Sequence, residues 1–428
     1  MNMRLFCFFT FLFLVAGASS ESFINVPLFD KAPKIDGNLN DDCWKNAFIV
    51  DRIQPVDGNQ KLRDNWKVLI GCDITGIYIG IDADVSQPER IVSVIEKRDD
   101  RVWKDDCFEM MINLGEKDSY TQLLMNTRSV RCDLIHFLHS SVAEPQNFDG
   151  DWSGACQVMG NKIFAEFKIP YSMFALYGKK DNDFRINICR ENKNQNEYSS
   201  ISGTFHEIEK FPILKNLPVP DILKQVKISD VKWSTFYGPN IVRAIITNST
   251  GKILKYAVEI IDRTGYVADV KNTGKINENC SVEIVKKYVI GGPAGEREIS
   301  MRLIDMTTGQ VLKTVNRVFQ LEPPIFAYTD RYFYDENDEK IEVRIKANVS
   351  PEVLKDARVK IFLQKGKEKI LLWQKKTLQP EMSAMIDIKN MNSGISILVI
   401  QMEYGKTKEI TTTVVRKGKG PFYNEEAK

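Results

Sequence analysis

Short runs in which apolar and polar residues alternate recur along nearly the whole chain, and turn residues separate them. After Cys107, for example, Phe108, Met110, Ile112 and Leu114 are apolar, with Glu109 and Asn113 between them. A period of two marks a half-buried β-strand, because successive side chains point to opposite faces. WKVLIGCD, GIYIGIDADV, YTQLLMN, KIFAEFKI and FRINICREN carry further short apolar or alternating runs in the first half. IVRAIITN, KYAVEIIDR, SVEIVKKYVI and EISMRLIDM follow, then KIEVRIKANV, ARVKIFLQ, KILLWQKK, ISILVIQMEY and EITTTVVRKG. Helical signals are few and short: LNDDCWKNA, with Asn38 or Asn40 as N-cap, and PYSMFALYG, from Pro170 to Gly178. The chain is expected to be all-β, an antiparallel sandwich followed by further sandwiches with strands at immunoglobulin-like spacing.

The first residues read as a secretory signal. Arg4 precedes an apolar run from Leu5 to Val15, and Ala16-Gly17-Ala18 supplies a small-residue cleavage pattern. The run is shorter than the roughly 20 residues a membrane span needs. A soluble protein is therefore expected, secreted, periplasmic or on the cell surface. Proline punctuation at LPVPD (217–221) and LEPPIF (321–326) divides what remains. The expected segments are a signal peptide over 1–18, a first sandwich over 22–216, Ig-like sandwiches over 225–321 and 325–418, and a flexible tail over 419–428. A net charge of +2 gives no reason to expect nucleic acid or a membrane surface as partner.

Beyond Cys7, the cysteines are Cys43, Cys72, Cys107, Cys132, Cys156, Cys189 and Cys280, an odd set without a CxxC pair. Zinc is not expected, and one or two disulfides are possible without a pairing that sequence can assign. His136 and His139 are three apart and would share a face only on a helix. With His206 they complete the histidines, and no third ligand stands at a metal-binding spacing. No GxSxG elbow, P-loop or HExxH helix occurs, and no acid pair has the context of a glycosidase, so a non-catalytic protein is expected.

The segment RVWKDDCFEMMINLG (101–115) places an indole and two carboxylates just before a strand. Trp103 has charged neighbours, which suits either a ligand platform in a solvated loop or a core residue at a turn. Asp105 and Asp106 could contribute to a calcium site, since hard cations take clustered oxygens, or could be turn residues. Trp44 and Trp66 read as core, and Trp152, in NFDGDWSG, as a second-choice exposed aromatic. Glu109 points away from the apolar stripe and is either solvent-facing or an acceptor for a ligand hydroxyl.

Ile35-Asp36-Gly37 with Trp44 and Ala47 resembles the opening of carbohydrate-binding module family 9-like domains. GIYIGIDADV, DDCFEMMINLG, YTQLLMN, EFKIPYSMF, FRINICREN and TFHEIEKFPILKN follow in the family's order, over about residues 23 to 216. The resemblance implies a family 9-like β-sandwich ahead of the two smaller Ig-like sandwiches. It also implies a sugar held between two aromatic planes with polar groups on its hydroxyls. It places Trp103 as the first platform, Glu109, Gln122 and Asn126 as the polar rim, and Phe205 where the family has a second tryptophan. The family's arginine between the Gln and the Asn falls at Leu124, so one charged donor is absent. The expected function is a secreted, non-catalytic protein that binds an oligosaccharide or polysaccharide, with degradation, if any, left to a partner enzyme. The alternatives are a protein-interaction or assembly protein acting partly through its Ig-like units, and a haem-binding sandwich of the DOMON type with Met125 as one ligand.

Overall fold

The computed structural model describes residues 21–419 other than 57, 59–60, 138–145, 181–183, 263–264, 266 and 270–271. The expected signal peptide, His139 and nearly all of the expected tail lie outside the described residues. The chain divides into two compact units. The first runs to Phe148 and takes in Trp152–Pro170 and Lys180–Val219. The second takes in Asp149–Asp151, Tyr171–Lys179 and the chain from Pro220 on. Both are built from β-sheet, as the alternation requires.

In the first unit two sheets carry the fold, one of nine strands and one of five. The larger has Phe184–Asn192, Cys107–Asn113, Ser119–Asn126 and Arg131–Phe137 side by side, all antiparallel. The smaller runs Ser153–Met159, Lys162–Pro170, Gly76–Asp84, Trp66–Cys72 and Phe48–Val50. One face of each sheet is apolar. Phe108, Met110, Ile112, Leu123, Met125, Ile186 and Ile188 are buried on the larger. Val68, Ile70, Ile79, Ile81, Ala165 and Phe167 are buried on the smaller. Trp66 joins this interior, its ring 6.1 Å from that of Phe108 and its indole N–H donating to Ser199 Oγ at 3.0 Å.

The other face of the smaller sheet is roofed by the segment carrying Ile35-Asp36-Gly37 and Trp44. Phe29, Trp44, Leu69 and Tyr78 form a buried cluster there, with Ile35, Leu39, Cys43 and Ala47 against it. Glu166 anchors the roof. Its Oε2 accepts the backbone N–H groups of Asp36 and Gly37, both at 2.9 Å, and its Oε1 accepts the Trp44 indole N–H at 2.8 Å. Burial pushes the Glu166 carboxyl upward, and these hydrogen bonds pull it back. Gly37 has φ +80°, and a Cβ there would lie 3.0 Å from the Cys156 carbonyl carbon, so glycine suits both the turn and the close approach.

Among the described residues the second unit has four sheets. Two of four strands each are built from strands between Val226 and Leu321, and sheets of three and five strands from those between Ile325 and Gly418. A parallel bridge joins Tyr237 to Val349. Helix is scarce. Among the described residues the one α-helix is Pro351–Asp356, with Ser350 as its N-cap accepting from the Val353 N–H. The two helices expected from sequence shrink to 3-10 turns, Asp42–Asn46 and Tyr171–Met173. In the first, Asp41 takes the N-cap position rather than Asn38 or Asn40, and makes no side-chain cap. Both segments are too short to recover the cost of nucleating an α-helix. No helix among the described residues is long and apolar enough to cross a membrane.

Candidate functional site

The larger sheet of the first unit has a second face, turned away from the interior, and strand register decides which residues reach it. Met111 lies opposite Gln122, Glu109 opposite Leu124 and Cys107 opposite Asn126. On the flanking strands Tyr120 pairs with His136, Cys189 with Glu109 and Glu191 with Cys107. Opposed residues of antiparallel strands share a face. Cys107, Glu109, Met111, Tyr120, Gln122, Leu124, Asn126, His136, Cys189 and Glu191 therefore form one surface.

Through its centre runs a line of hydrogen bonds. Gln122 Nε2 donates to Glu109 Oε2 at 2.7 Å. That fixes the amide, so Gln122 Oε1 accepts, and it meets His136 Nε2 in a short contact. His136 is thereby the Nε2–H tautomer, which leaves Nδ1 as an acceptor. Tyr120 stacks on the His136 ring at 4.7 Å and an interplanar angle of 6°, and its hydroxyl contacts His206 Nδ1 at 2.6 Å. On the other side Glu109 shares a hydrogen bond with Glu191, and Lys193 forms a close ion pair with Glu191. The Lys193 ammonium also lies 4.8 Å from the centre of the Tyr198 ring.

Burial sets the protonation of this line. Glu109 is 1% exposed, and burial first, then the adjacent Glu191, holds its carboxyl well above the usual range. Burial and the neighbouring His206 lower His136 to about 4. Near neutral pH the His136 imidazole is therefore neutral, and burial likewise disfavours the charged form of Glu109 at the other end of the line. Cys107, Glu109 and Glu191 have donor atoms within 4.8 Å of one another, a grouping that could hold a metal. Burial raises both the Cys107 thiol and the Glu109 carboxyl, which opposes the deprotonation that ligation requires.

Two apolar clusters flank the line. Val102, Cys107, Leu124, Cys132 and Leu134 form one; Met111, Tyr120, Cys189, Ile208 and Phe211 form the other, with Phe205 packed against it. Glu109 falls between Cys107 of the first and Met111 of the second, and Gln122 between Leu124 and Tyr120. Trp103 follows Val102 on the short turn Val102–Lys104 and is 38% exposed. Phe205 meets Tyr198 edge-on at 6.4 Å, and Asn187 Nδ2 pins its loop by donating to Thr204 O at 2.6 Å. Leu124, at the position the resemblance gives to an arginine, is the seat on which Val102 packs.

Several expectations are corrected here. Asn126 does not join Glu109 and Gln122. Its Nδ2 donates to Asp105 Oδ2 at 2.8 Å and to Ile95 O, and its Oδ1 accepts the N–H groups of Arg128 and Val130. Asp105 and Asp106 do not form an open cluster for calcium. Asp105 accepts the backbone N–H groups of Val94 and Ile95, both at 3.0 Å, and Asp106 that of Val92 at 2.6 Å. Both are buried and fasten the loop that carries Trp103. Glu109 and Gln122 are buried rather than rim groups. Met125, the expected haem ligand, is fully buried on the interior face, where a Cβ on Gly154 would lie 2.7 Å from its sulfur. Trp152 is a core residue, 0% exposed and stacked near Phe167. No disulfide joins any of the cysteines from Cys43 to Cys280. Sequence reasoning missed Tyr120, Glu191, Lys193, Tyr198 and the parts played by His136 and His206. The signal was available in the alternation, since Tyr120 shares a parity with Gln122, but the strand order that brings Glu191 beside Cys107 was not.

No protein-family model matches the chain, and no curated protein does. Among solved structures, a protein from Bacteroides uniformis described as a candidate carbohydrate-binding protein is similar at 14% identity, over 46% of this chain and 99% of that one, with a TM-score of 0.37. A carbohydrate-binding module of family 9 from Caldicellulosiruptor kristjanssonii, in complex with glucose, is similar at 12% identity over 45% of this chain and 95% of that one, with a TM-score of 0.33. The same organism's family 9 module with cellotriose is similar at 13% identity over 46% and 94%, with a TM-score of 0.32.

Proposed function

We propose that the first unit is a non-catalytic carbohydrate-binding module of an exported protein, and that the sugar lies on the outer face of its larger sheet. One observation carries the reading. A buried, directional line from Glu109 through Gln122 to His136 runs between two apolar clusters, one holding Val102 next to the exposed Trp103, the other with Phe205 packed against it and Tyr198 edge-on to Phe205. A pyranose offers C–H faces to aromatic planes and hydroxyls to fixed acceptors and donors, so such a surface suits it. In this reading Glu109 and Gln122 work from beneath. They orient His136 Nδ1 as an acceptor, while Glu191 holds Lys193 as a donor at the Tyr198 edge. The contact residues are Trp103, Tyr198, Phe205, His136, Lys193 and His206.

A glycan array of plant, microbial and host oligosaccharides, followed by calorimetry on any hit, tests this. Binding that Tyr198→Ala and Phe205→Ala each weaken supports it, and a blank array removes it. A second reading, a protein-interaction module that keeps the fold without a sugar site, is favoured by the burial of Glu109 and Gln122 and by the apolar packing at Leu124.

A further inference from the structure

In the five-stranded sheet of the second unit, the strand Glu368–Lys376 stands at the edge. It pairs with Arg358–Lys365 on one side, and among the described residues nothing pairs with it on the other. It contains no proline. Seven of its nine residues are exposed, and Leu372 and Trp373 are half-buried. Such an edge presents a row of unsatisfied backbone N–H and C=O groups, the template on which another strand adds.

The side chains say what kind of strand. Between residues 365 and 376 the sequence KGKEKILLWQKK carries Lys365, Lys367, Lys369, Lys375 and Lys376 against Glu368 alone, and all five lysines are exposed. None of the five is ion-paired among the described residues. Between the two basic groups lie Ile370 and Leu371, 42% and 46% exposed, with Leu371 across from Phe362 and Trp373 across from Ile361. A second copy of this edge would bring lysine against lysine, which opposes self-pairing. A purely apolar strand would leave the ammonium groups unmatched. An acidic strand satisfies the open backbone, the apolar centre and the charge together.

We infer that the edge Glu368–Lys376 is a docking site for an extended acidic segment of a partner protein, added as a further β-strand. The inference is independent of the sugar site, which lies in the other unit.

The test uses the full chain and a fluorescein-labelled peptide of roughly nine residues alternating glutamate and valine, long enough to match the strand. Fluorescence anisotropy is expected to report saturable binding, weakened at least roughly tenfold by Lys369→Glu combined with Lys375→Glu. Strand addition, unlike simple charge attraction, needs every second peptide N–H. Two peptides N-methylated on alternate residues, one in each phase, are therefore compared, and one phase is expected to abolish binding while the other retains it. Equal binding of both phases, or equal competition by unstructured polyglutamate, overturns the inference in favour of an unspecific basic patch. No binding of the parent peptide also overturns it, leaving the lysines as a guard against self-association.

Discussion

Glu166 and Trp44 lie 122 residues apart in the chain and meet through a hydrogen bond of 2.8 Å from the indole N–H to Oε1. The second oxygen of the same carboxylate holds the turn at Asp36 and Gly37. Two pieces of the family resemblance, Ile35-Asp36-Gly37 with Trp44 and the EFKIP segment with Glu166, are thus joined in one structural device. Glu166→Ala leaves several buried donors without an acceptor and is expected to destabilise the first unit by about 3 kcal/mol or more. Trp44→Phe keeps the packing against Phe29 and loses one hydrogen bond, so about 1–2 kcal/mol is expected. Urea unfolding of the two single variants and the double variant measures both. A double loss smaller than the sum shows that they act as a unit.

The two tryptophans that the sequence offers as exposed aromatics, Trp103 first and Trp152 second, are expected to behave oppositely. Trp152→Ala removes a fully buried ring and is expected to cost about 3–5 kcal/mol of stability. Trp103→Ala, on an exposed turn, is expected to cost less than about 1 kcal/mol. If the sugar reading holds, Trp103→Ala also weakens binding by roughly thirtyfold, as loss of a stacking hot spot of about 2 kcal/mol implies. Thermal melts and calorimetry on the same preparations separate the two effects, and a strongly destabilised Trp103→Ala contradicts the placement of that ring.

Why the fold was legible and the site was not comes down to which interactions are local. Period two is written in each strand, so Phe108, Met110 and Ile112 declared their shared face without knowledge of any neighbour. The parity of Gln122 and Glu109 was equally readable, and the structure does bring them together. Asn126 has that parity too, yet it is drawn to the turn by Asp105, whose carboxylate needs a third donor after two backbone amides. That need arises only once the loop over 92–95 has folded back on the strand. The partnership of Glu191 with Glu109 likewise depends on Phe184–Asn192 lying beside Cys107–Asn113, a pairing of strands far apart in sequence.

Calcium is expected to leave the protein unchanged at this loop. Asp105 and Asp106 already accept backbone N–H groups, so the melting temperature should be the same in chelator and in excess calcium. Asp105→Ala, by contrast, is expected to destabilise by about 2–3 kcal/mol, because it strands the amides of Val94 and Ile95 and the Asn126 side chain. A calcium-dependent rise in melting temperature that Asp105→Ala abolishes would overturn this account.

The histidine at the end of the polar line makes stability sensitive to acid. In the unfolded chain its imidazole takes up a proton near 6.5, whereas in the folded chain burial delays this to about 4. Between those values the unfolded state binds more protons. The contribution of His136 is therefore complete above about pH 6.5 and is lost as the pH falls toward 4. Glu109 acts with the opposite sign. Its raised carboxyl favours folding at low pH, and that contribution declines as the pH rises above the ordinary carboxylate range. Chemical denaturation of the parent and of His136→Gln across pH 4 to 7 is expected to show a shallower slope in the variant. Identical slopes would show that His136 is not titrating in a buried setting.

The cysteines have a practical consequence. Among the described residues none is bridged, four are buried, and Cys43 and Cys156 are half-covered, with burial pushing Cys156 up to about 12. Cys280, at the head of the strand Cys280–Ile290, is the one exposed thiol among the described residues. The thiolate is the form that reacts with an electrophile, so among the cysteines of the described residues a maleimide dye added briefly at neutral pH should attach at Cys280 first. The native sequence thus supplies its own labelling handle in the second unit, and surface immobilisation or distance measurement by fluorescence needs no engineered cysteine.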